Sequence, residues 1–564
     1  MTHVSVFGLA EALRLLRSWG FKPSGYSRGT RSFEGALACK GGDIQVRISI
    51  TDWDFLEYPT IRVLDHLDVL PSLSPHVDPK GDLCYFAKGA AVLDRYDPAE
   101  SIAQCLDQAR YVLDRIRHDP DYRYDDIQDE FLLHWAIGGS EAVLPVLIGT
   151  VDQASKSSNY WLVSLGTAAR AVITNHKEEV EALARALGAE PPASTECPCW
   201  LFSTDTLPAV PDAIPSNVSE LFAWLRVWDR PLYHQIQRVL EREPQYLQYK
   251  MATFAVHTPL GWLGFGFDLN PVHRLGTQKK PKLYRQYLHS HEGSRGIIRL
   301  VLTEFGPDFV HGRNLTYGTL KDKRIVVVGA GAIGSHVAPG LIRLGAGTGC
   351  GQLDIVDPDL MMPENLGRHT LGYPSLFKRK AEALSAELTR QFPFSKVRPR
   401  VANVQDLRDL FRADLVIDAT GEEIISELIN AMRLEREIDT PVLHVRIRGN
   451  GECVQTFWAQ GRELACFRCL LQADHKNYRQ ERFPVLKAEP QRKQLACSGF
   501  TPYAVSAPMS AAALCIEVMV DWLSTGNPSP RFRTAPSANA EVYTVKNQDV
   551  RRLETCPACG SKDV

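Results

Sequence analysis

Val326–His336 reads VVVGAGAIGSH, with glycines at Gly329, Gly331 and Gly334. The G-x-G-x-x-G spacing follows a β-branched run and precedes a segment of helical pattern. Only glycine lets a backbone turn this tightly and lie against a phosphate, and the helix start that follows offers free N–H groups to an anion. Outward from this turn, RIVVVG, QLDIVD, VRPRV and DLVIDAT read as strands. SHVAPGLIRLG and KRKAEALSAELTRQF read as helices. The alternation predicts a doubly wound, mostly parallel sheet over residues 316–564.

Asp357, in LDIVDPD, follows the turn at the distance from which an acidic side chain reaches ribose hydroxyls. A dinucleotide-binding oxidoreductase carries the same fingerprint, but next it needs a nicotinamide pocket. Here MPENLGRHTLGYPSLFKRK supplies Asn365, Arg368 and Lys380. Cations at this place suit a triphosphate whose developing charge must be neutralised. Lys378 and Arg379 read as surface charges.

At 564 residues the chain exceeds one hydrophobic core, and three or four domains are expected. A net charge of −2, with 44% hydrophobic and 23% charged residues, gives no bulk attraction to nucleic acid or to an anionic membrane. No apolar run reads as approaching the roughly 20 residues that span a bilayer. The stretch MTHVSVFGLAEALRLLRSWG reads as an amphipathic helix rather than a signal peptide, so a cytoplasmic location is expected. Thirteen cysteines, an odd number, argue against a disulfide framework and for thiol or metal chemistry.

Residues 1–125 continue through strand-like SFEGALAC, IQVRISI and TIRVLD to a Pro/Gly-rich loop, SPHVDPKGDLCY, and a helix, PAESIAQCLDQARYVLDRI. Cys84 sits at the edge of that loop, where another molecule can reach a thiol. HDPDYRYDDIQDE reads as a solvated linker or the cap of the next helix. Residues 126–315 mix helical stretches such as EFLLHWAI with strand-like ones such as ATFAVHTPLGWLGFGF, an α/β or α+β domain without a chemistry motif. Cys197 and Cys199 stand too close together for zinc-knuckle spacing and read as structural.

Cys466-x-x-Cys469 and Cys556-x-x-Cys559 are a strong pair of knuckles. Four thiolates suit tetrahedral Zn²⁺, and a site closed by four protein ligands is structural, here clamping the C-terminal segment to the domain body. Cys497, between the knuckles, follows Lys487, Arg492 and Lys493, cations that favour a thiolate.

From about Leu320 onward these features resemble the ThiF/MoeB/ubiquitin-activating E1 superfamily. The resemblance is carried by the glycine turn, D-x-D at Asp357 and Asp359, N-L-x-R from Asn365 to Arg368, Lys380, the two knuckles, and D-x-T from Asp418 to Thr420. It implies a Rossmann-like adenylation domain that activates the C-terminal glycine of a ubiquitin-like protein with Mg-ATP. Asp357 would then bind ribose, Asn365, Arg368 and Lys380 the phosphates, and Arg313 of HGRN would be the arginine preceding the first strand. The family commonly has D-x-T-D, whose second aspartate helps hold Mg²⁺. This chain has Gly421 there, which leaves Asp418, Glu422, or ATP and water to hold the metal. Such proteins carry a cysteine on a loop crossing the nucleotide site that takes the acyl group from the adenylate, a role implied for Cys497.

Residues 5–120 resemble the ubiquitin-conjugating E2 fold, in which H-P-N precedes a G-x-x-C cysteine. Here Ser74-Pro75-His76 and Gly81-Asp82-Leu83-Cys84 stand in those places. Cys84 is then an acyl carrier, and His76 either donates an N–H to the oxyanion or acts as a base toward the incoming amine. The E2-then-E1 order resembles the fusion protein of bacterial CBASS antiphage operons. That resemblance implies joining the C-terminal glycine of a cGAS-like nucleotidyltransferase (CD-NTase) to a lysine of a cellular target. It also implies a homodimer through the activating domain.

The expected organisation is a conjugating module at 1–125, an α/β linker domain at 126–315 and an activating module at 316–564. Three other readings compete: an adenylyltransferase serving a small sulfur carrier, with a merely binding N-terminal domain; a non-enzymatic scaffold; and an NAD-dependent oxidoreductase.

Overall fold

Strands Arg324–Val328 and Leu415–Asp418 are buried along almost their whole length. Parallel strands covered by helices on both faces have that pattern. They lie at the centre of a seven-stranded sheet in a computed structural model that describes residues 8–137, 143–151, 156–165, 168–461, 464–471, 480–495 and 498–560. The chain divides into two units, Met1–Lys177 with Pro192–Glu304, and Glu178–Pro191 with Phe305–Val564.

The first unit opens with helix Leu9–Ser18 and an antiparallel meander whose five strands, Lys22–Ser27 to Asp82–Leu83, pair in chain order. Alternation puts Phe33, Leu37, Val46 and Ile48 on one face, which helix Pro98–His118 covers with Ile102, Leu106, Ala109 and Leu113. Asp97 caps that helix by accepting the Glu100 N–H, and Pro98 holds its first position, where no donor is needed. The stretch read as a solvated linker is itself a helix, Pro120–Asp129, capped by Asp119 through the Tyr122 N–H. The Arg115 guanidinium lies 3.7 Å from the Tyr122 ring centroid and ties the two helices together.

The middle alternation resolves into a closed barrel, Met251–Thr258, Gly261–Asp268, Ile298–Glu304, Val143–Ile148, Ala168–Thr174, Ser157–Leu165 and Ala193–Ser203. Helix Phe131–Ile137 is pinned to it, since Trp135 donates its indole N–H to the Gly264 carbonyl at 3.0 Å, while its ring stacks 5.6 Å from Trp224 of helix Val218–Trp228. Cys199 is buried in this core, whereas the Cys197 side chain lies outside the described residues.

The second unit's sheet runs Val397–Arg400, Gln352–Val356, Arg324–Val328, Leu415–Asp418, Val442–Arg448, Cys453–Ala459, Phe532–Pro536. Its first five strands are parallel and the last two antiparallel. Strand order reverses beside Arg324–Val328, which opens a crevice at the strands' carboxyl ends. Helix Ser506–Thr525 corrects the reading that no apolar run reaches spanning length. It has 20 residues, with a mean hydropathy of 1.3 over its most apolar window. It packs against helix Ala332–Arg343, burying Ala511, Cys515, Val518 and Met519 in the core of this unit.

Candidate functional sites

The crevice holds a cavity of about 870 Å³ lined by Gly329, Gly331, Asp357, Asn365, Arg368 and Lys380. Gly329 has φ 93°, a left-handed turn that puts its backbone against Thr420. A Cβ on Gly334 would lie 1.8 Å from the Gly329 carbonyl oxygen, so the third glycine exists to let the helix start close on the turn. A Cβ on Gly331 would meet nothing within 4 Å, which leaves that face open to a phosphate.

Ala330, between the glycines, is held from both sides. Its N–H donates to Asp357 Oδ2 at 2.7 Å, and its carbonyl accepts from His369 Nε2, also at 2.7 Å. His369 Nδ1 accepts the Leu371 N–H, which fixes the Nε2–H tautomer. Burial lowers His369 from 6.5 to about 4, so the ring is neutral near pH 7. Burial raises the Asp357 carboxyl despite the N–H groups of Asp359 and Ala330 and the charge of Lys380. Lys380 begins helix Lys380–Gln391 and donates to Asp359 Oδ2 at 3.0 Å. Asn365 Oδ1 accepts the Met362 N–H, bracing the turn that carries Arg368, whose guanidinium lies 5.7 Å from the Tyr503 ring centroid. His369 and Tyr503 are the residues the sequence reading missed here. The only signal for His369 was its place immediately after the N-L-x-R run.

Three expected nucleotide-site residues do not line this cavity: Gly334, which packs under the turn, Asp418 and Arg313. Asp418 is buried and turned inward, accepting from Thr420, Ser426 and His444. Burial alone would raise its carboxyl, but these donors outweigh it and hold Asp418 below its ordinary value. Glu422, the other acid considered for Mg²⁺, does line the cavity, and Gly421 between them has φ 69°. Arg313 is exposed, with its guanidinium 5.5 Å from the Phe309 ring centroid. A second cavity, of about 1170 Å³, shares Arg368, Thr420, Glu422 and Tyr503 with the first and continues past Arg448 and Arg492 to Phe500 and Thr501. Cys497 itself lies outside the described residues.

The four knuckle cysteines are buried with their sulfurs within 4.8 Å of one another. Cys466 lies 3.9 Å from Cys469 and 3.8 Å from Cys556, and Cys469 lies 3.4 Å from Cys559. A tetrahedron with Zn–S bonds of about 2.3 Å has edges of about 3.8 Å, so the donor set and its spacing fit Zn²⁺. The Leu553 N–H points at the Cys469 sulfur at 3.5 Å, an outer-shell donor of the kind that steadies such a site.

In the first unit, Cys84 is exposed beside a cavity of about 410 Å³. Its N–H donates to the His76 carbonyl at 2.8 Å, and its thiol faces the Phe86 carbonyl at 3.7 Å. His76 adopts φ 60°, a left-handed turn uncommon outside glycine, so the loop is held in one shape around the cysteine. Its Nε2 is bound to Asp126 Oδ2 at 2.9 Å. That places on Asp126 the donor envisaged for an oxyanion, and leaves Nδ1 for other contacts. Burial raises the Cys84 thiol, and the Glu130 charge raises it further. A thiol of higher pKa is a poorer leaving group, so an acyl group placed on it is held longer. Glu130, Leu133, His134 and Ile137 also line this cavity. They lie in a segment that sequence reading assigned to a domain without chemistry, and nothing in its helical pattern marked them.

The ThiF family model matches residues 301–557, and the prokaryotic E2 family B model matches residues 20–136. An ATP-dependent ubiquitin transferase-like protein Cap2 of Pseudomonas aeruginosa is 29% identical over 93% of this chain and 93% of its own length. A protein of the same name from Escherichia coli is 22% identical over 92% of this chain and 91% of its own. Among solved structures, Escherichia coli MccB with MccA-N7isoASN is 20% identical, with a TM-score of 0.33, over 43% of this chain and 68% of that one.

Proposed function

We propose how the chain, a fused E2–E1 ubiquitin-transferase-like protein and a ubiquitin-activating/conjugating-like ligase, divides its reaction between its two sites. The carboxylate of a protein C-terminal glycine attacks the α-phosphate of ATP in the Gly329–Gly334 cavity. The acyl adenylate forms and pyrophosphate leaves. Asp357 receives the ribose, and Asn365, Arg368 and Lys380 hold the phosphates. Glu422, one of the acidic side chains lining the cavity, would help hold Mg²⁺, which would spread the triphosphate charge.

Cys497 then attacks the adenylate carbonyl, forming a thioester and releasing AMP. Phe500 and Thr501, just after it in the chain, line the cavity continuous with the nucleotide site, which supports this role. Cys84 takes the acyl group by thioester exchange and passes it to a lysine amine, keeping most of the activation that ATP supplied. The observation that carries the reading is that one chain holds a phosphate-type glycine cradle lined by Arg368 and Lys380 and an exposed thiol at its own cavity.

The modules are residues 1–125 for conjugation, 126–315 for linkage and 316–564 for activation. Cys466, Cys469, Cys556 and Cys559 hold structural zinc in the last. The activated protein is a CD-NTase ending in glycine, acting in antiphage defence. The fused order and the Cap2 relatives support that identity. The activating module pairs as a homodimer, as family relatives do. Pyrophosphate exchange from Mg-ATP is expected only when the CD-NTase keeps its terminal glycine. Exchange that continues without the glycine contradicts this reading.

A further inference from the structure

The cavity at Cys84 is walled on one side by helix Phe131–Ile137, which the barrel holds through Trp135. His134 lines it, and its Nε2 is buried with no hydrogen-bond partner. Glu130, one helical turn earlier, lines it too, and its charge acts on both Cys84 and His134. Among the other titratable groups lining the cavity, Asp82, Asp78 and one nitrogen of His76 are already engaged. Asp82 pairs with Arg62 at 2.7 Å, and Asp78 accepts the N–H groups of Lys80 and Asp82. His76 Nε2 is bound to Asp126, and His66 packs against the left-handed turn at Gly81. Leu67, Leu70, Leu133 and Ile137 supply an apolar lining fit for the methylene stem of a lysine.

We propose that His134 is the base that takes the proton from the lysine amine during discharge of the Cys84 thioester, with Glu130 drawing the amine into the cavity. The inference rests on Cys84 being the acyl carrier. The lysine nitrogen bonds to the thioester carbonyl carbon and the C–S bond breaks, releasing the Cys84 thiolate. Lysine enters as the ammonium, and His134 Nε2 takes one proton before attack and passes it to solvent. The proton left on the nitrogen after attack goes to the departing thiolate, so protein and thiol end in their starting states. Burial keeps His134 below its ordinary value, hence neutral with a bare nitrogen near pH 7, although Glu130 pulls the other way. Glu130 also stabilises the imidazolium formed in transit.

The test charges the full chain at Cys84 from a synthetic peptide thioester ending in glycine, which bypasses ATP and Cys497. Peptide mapping verifies the charged residue, and discharge is followed from the charged fraction alone. His134→Gln is expected to slow discharge onto free lysine by about 100-fold at pH 7, the scale of general-base catalysis. Its discharge onto hydroxylamine, already neutral at that pH, should match wild type. Glu130→Gln should raise the lysine concentration needed for half-maximal discharge. Equal lysine discharge by His134→Gln and wild type overturns the proposal, and so does an equal slowing toward both nucleophiles. If wild type cannot be charged at Cys84 at all, the carrier reading falls with it, an outcome distinct from the other two.

Discussion

At the residue scale, the glycine turn leaves least room for substitution. Gly334→Ala would drive a methyl group into the Gly329 carbonyl, opening the cradle by more than a bond length. Pyrophosphate exchange is expected to fall by at least about 100-fold, as a misplacement of about 1 Å does elsewhere. Retained exchange would show that the cradle does not position the phosphates. His369 makes a pH prediction. Its folded value is depressed from 6.5 to about 4, so below pH 6.5 the unfolded chain takes up a proton that the folded site refuses. Its contribution is therefore complete above pH 6.5 and is lost as pH falls toward 4, a change on the order of 3 kcal/mol. In denaturant titrations His369→Gln should show a shallower loss of stability than wild type over that window, and parallel slopes would contradict the assignment.

The same scale separates what the sequence made legible from what it hid. Gly329, Asp357, Asn365, Arg368 and Lys380 could be read because each stands at fixed spacing from the turn, and all of them meet in one cavity. Asp418 could not be placed by spacing alone. A carboxylate at a strand's end can face the crevice or the core, and here Ser426 and His444, from two other elements, draw it inward. His134 and Glu130 were hidden for a related reason. They lie past the boundary expected near residue 125, and only tertiary packing brings Cys84 to them.

At the element scale, helices Ala332–Arg343 and Ser506–Thr525 cross where Gly340 lets them approach. A Cβ there would lie 2.7 Å from Ile516 Cδ1. Gly340→Ala is expected to cost about 1–3 kcal/mol through overpacking. Ile516→Ala, which removes both atoms nearest that Cβ, should cost less in the Gly340→Ala background than in wild type in chemical denaturation, and purely additive losses would mean that the two side chains do not compete. The cysteine clamp is an element-scale device as well, since its halves come from segments about ninety residues apart. Stripping zinc with a chelator should lower the melting temperature by about 10 °C or more, because metal binding of this kind is folding energy. Cys559→Ser should melt at the stripped value without chelator. A melting temperature indifferent to both treatments would show that the sulfurs hold no structural metal. The helix Pro120–Asp129 was obscured by the seven charged residues of the surrounding stretch HDPDYRYDDIQDE, a composition that suits solvent as well as it suits a capped helix. Its value lies in Asp126, which reaches His76.

At the scale of the whole molecule, the proposed reaction combines an acyl-adenylate site with a thiol that carries the acyl group. Joining them on one polypeptide raises the effective concentration of the second step's thiol near the first step's product. The fold class was readable at both ends because a glycine turn, two knuckles and a loop cysteine are local signals. The barrel was not, since closure depends on pairings such as Val143–Ile148 with Ile298–Glu304, about 150 residues apart in the chain.

The relay is tested most directly by intact mass after incubation with Mg-ATP and a CD-NTase ending in glycine. Wild type, Cys84→Ala and Cys497→Ala are compared with and without reductant. The account predicts reductant-sensitive adducts at both cysteines in wild type, at Cys497 alone in Cys84→Ala, and at neither in Cys497→Ala. An adduct at Cys84 in the Cys497→Ala chain, or none at Cys497 in the Cys84→Ala chain, would contradict it.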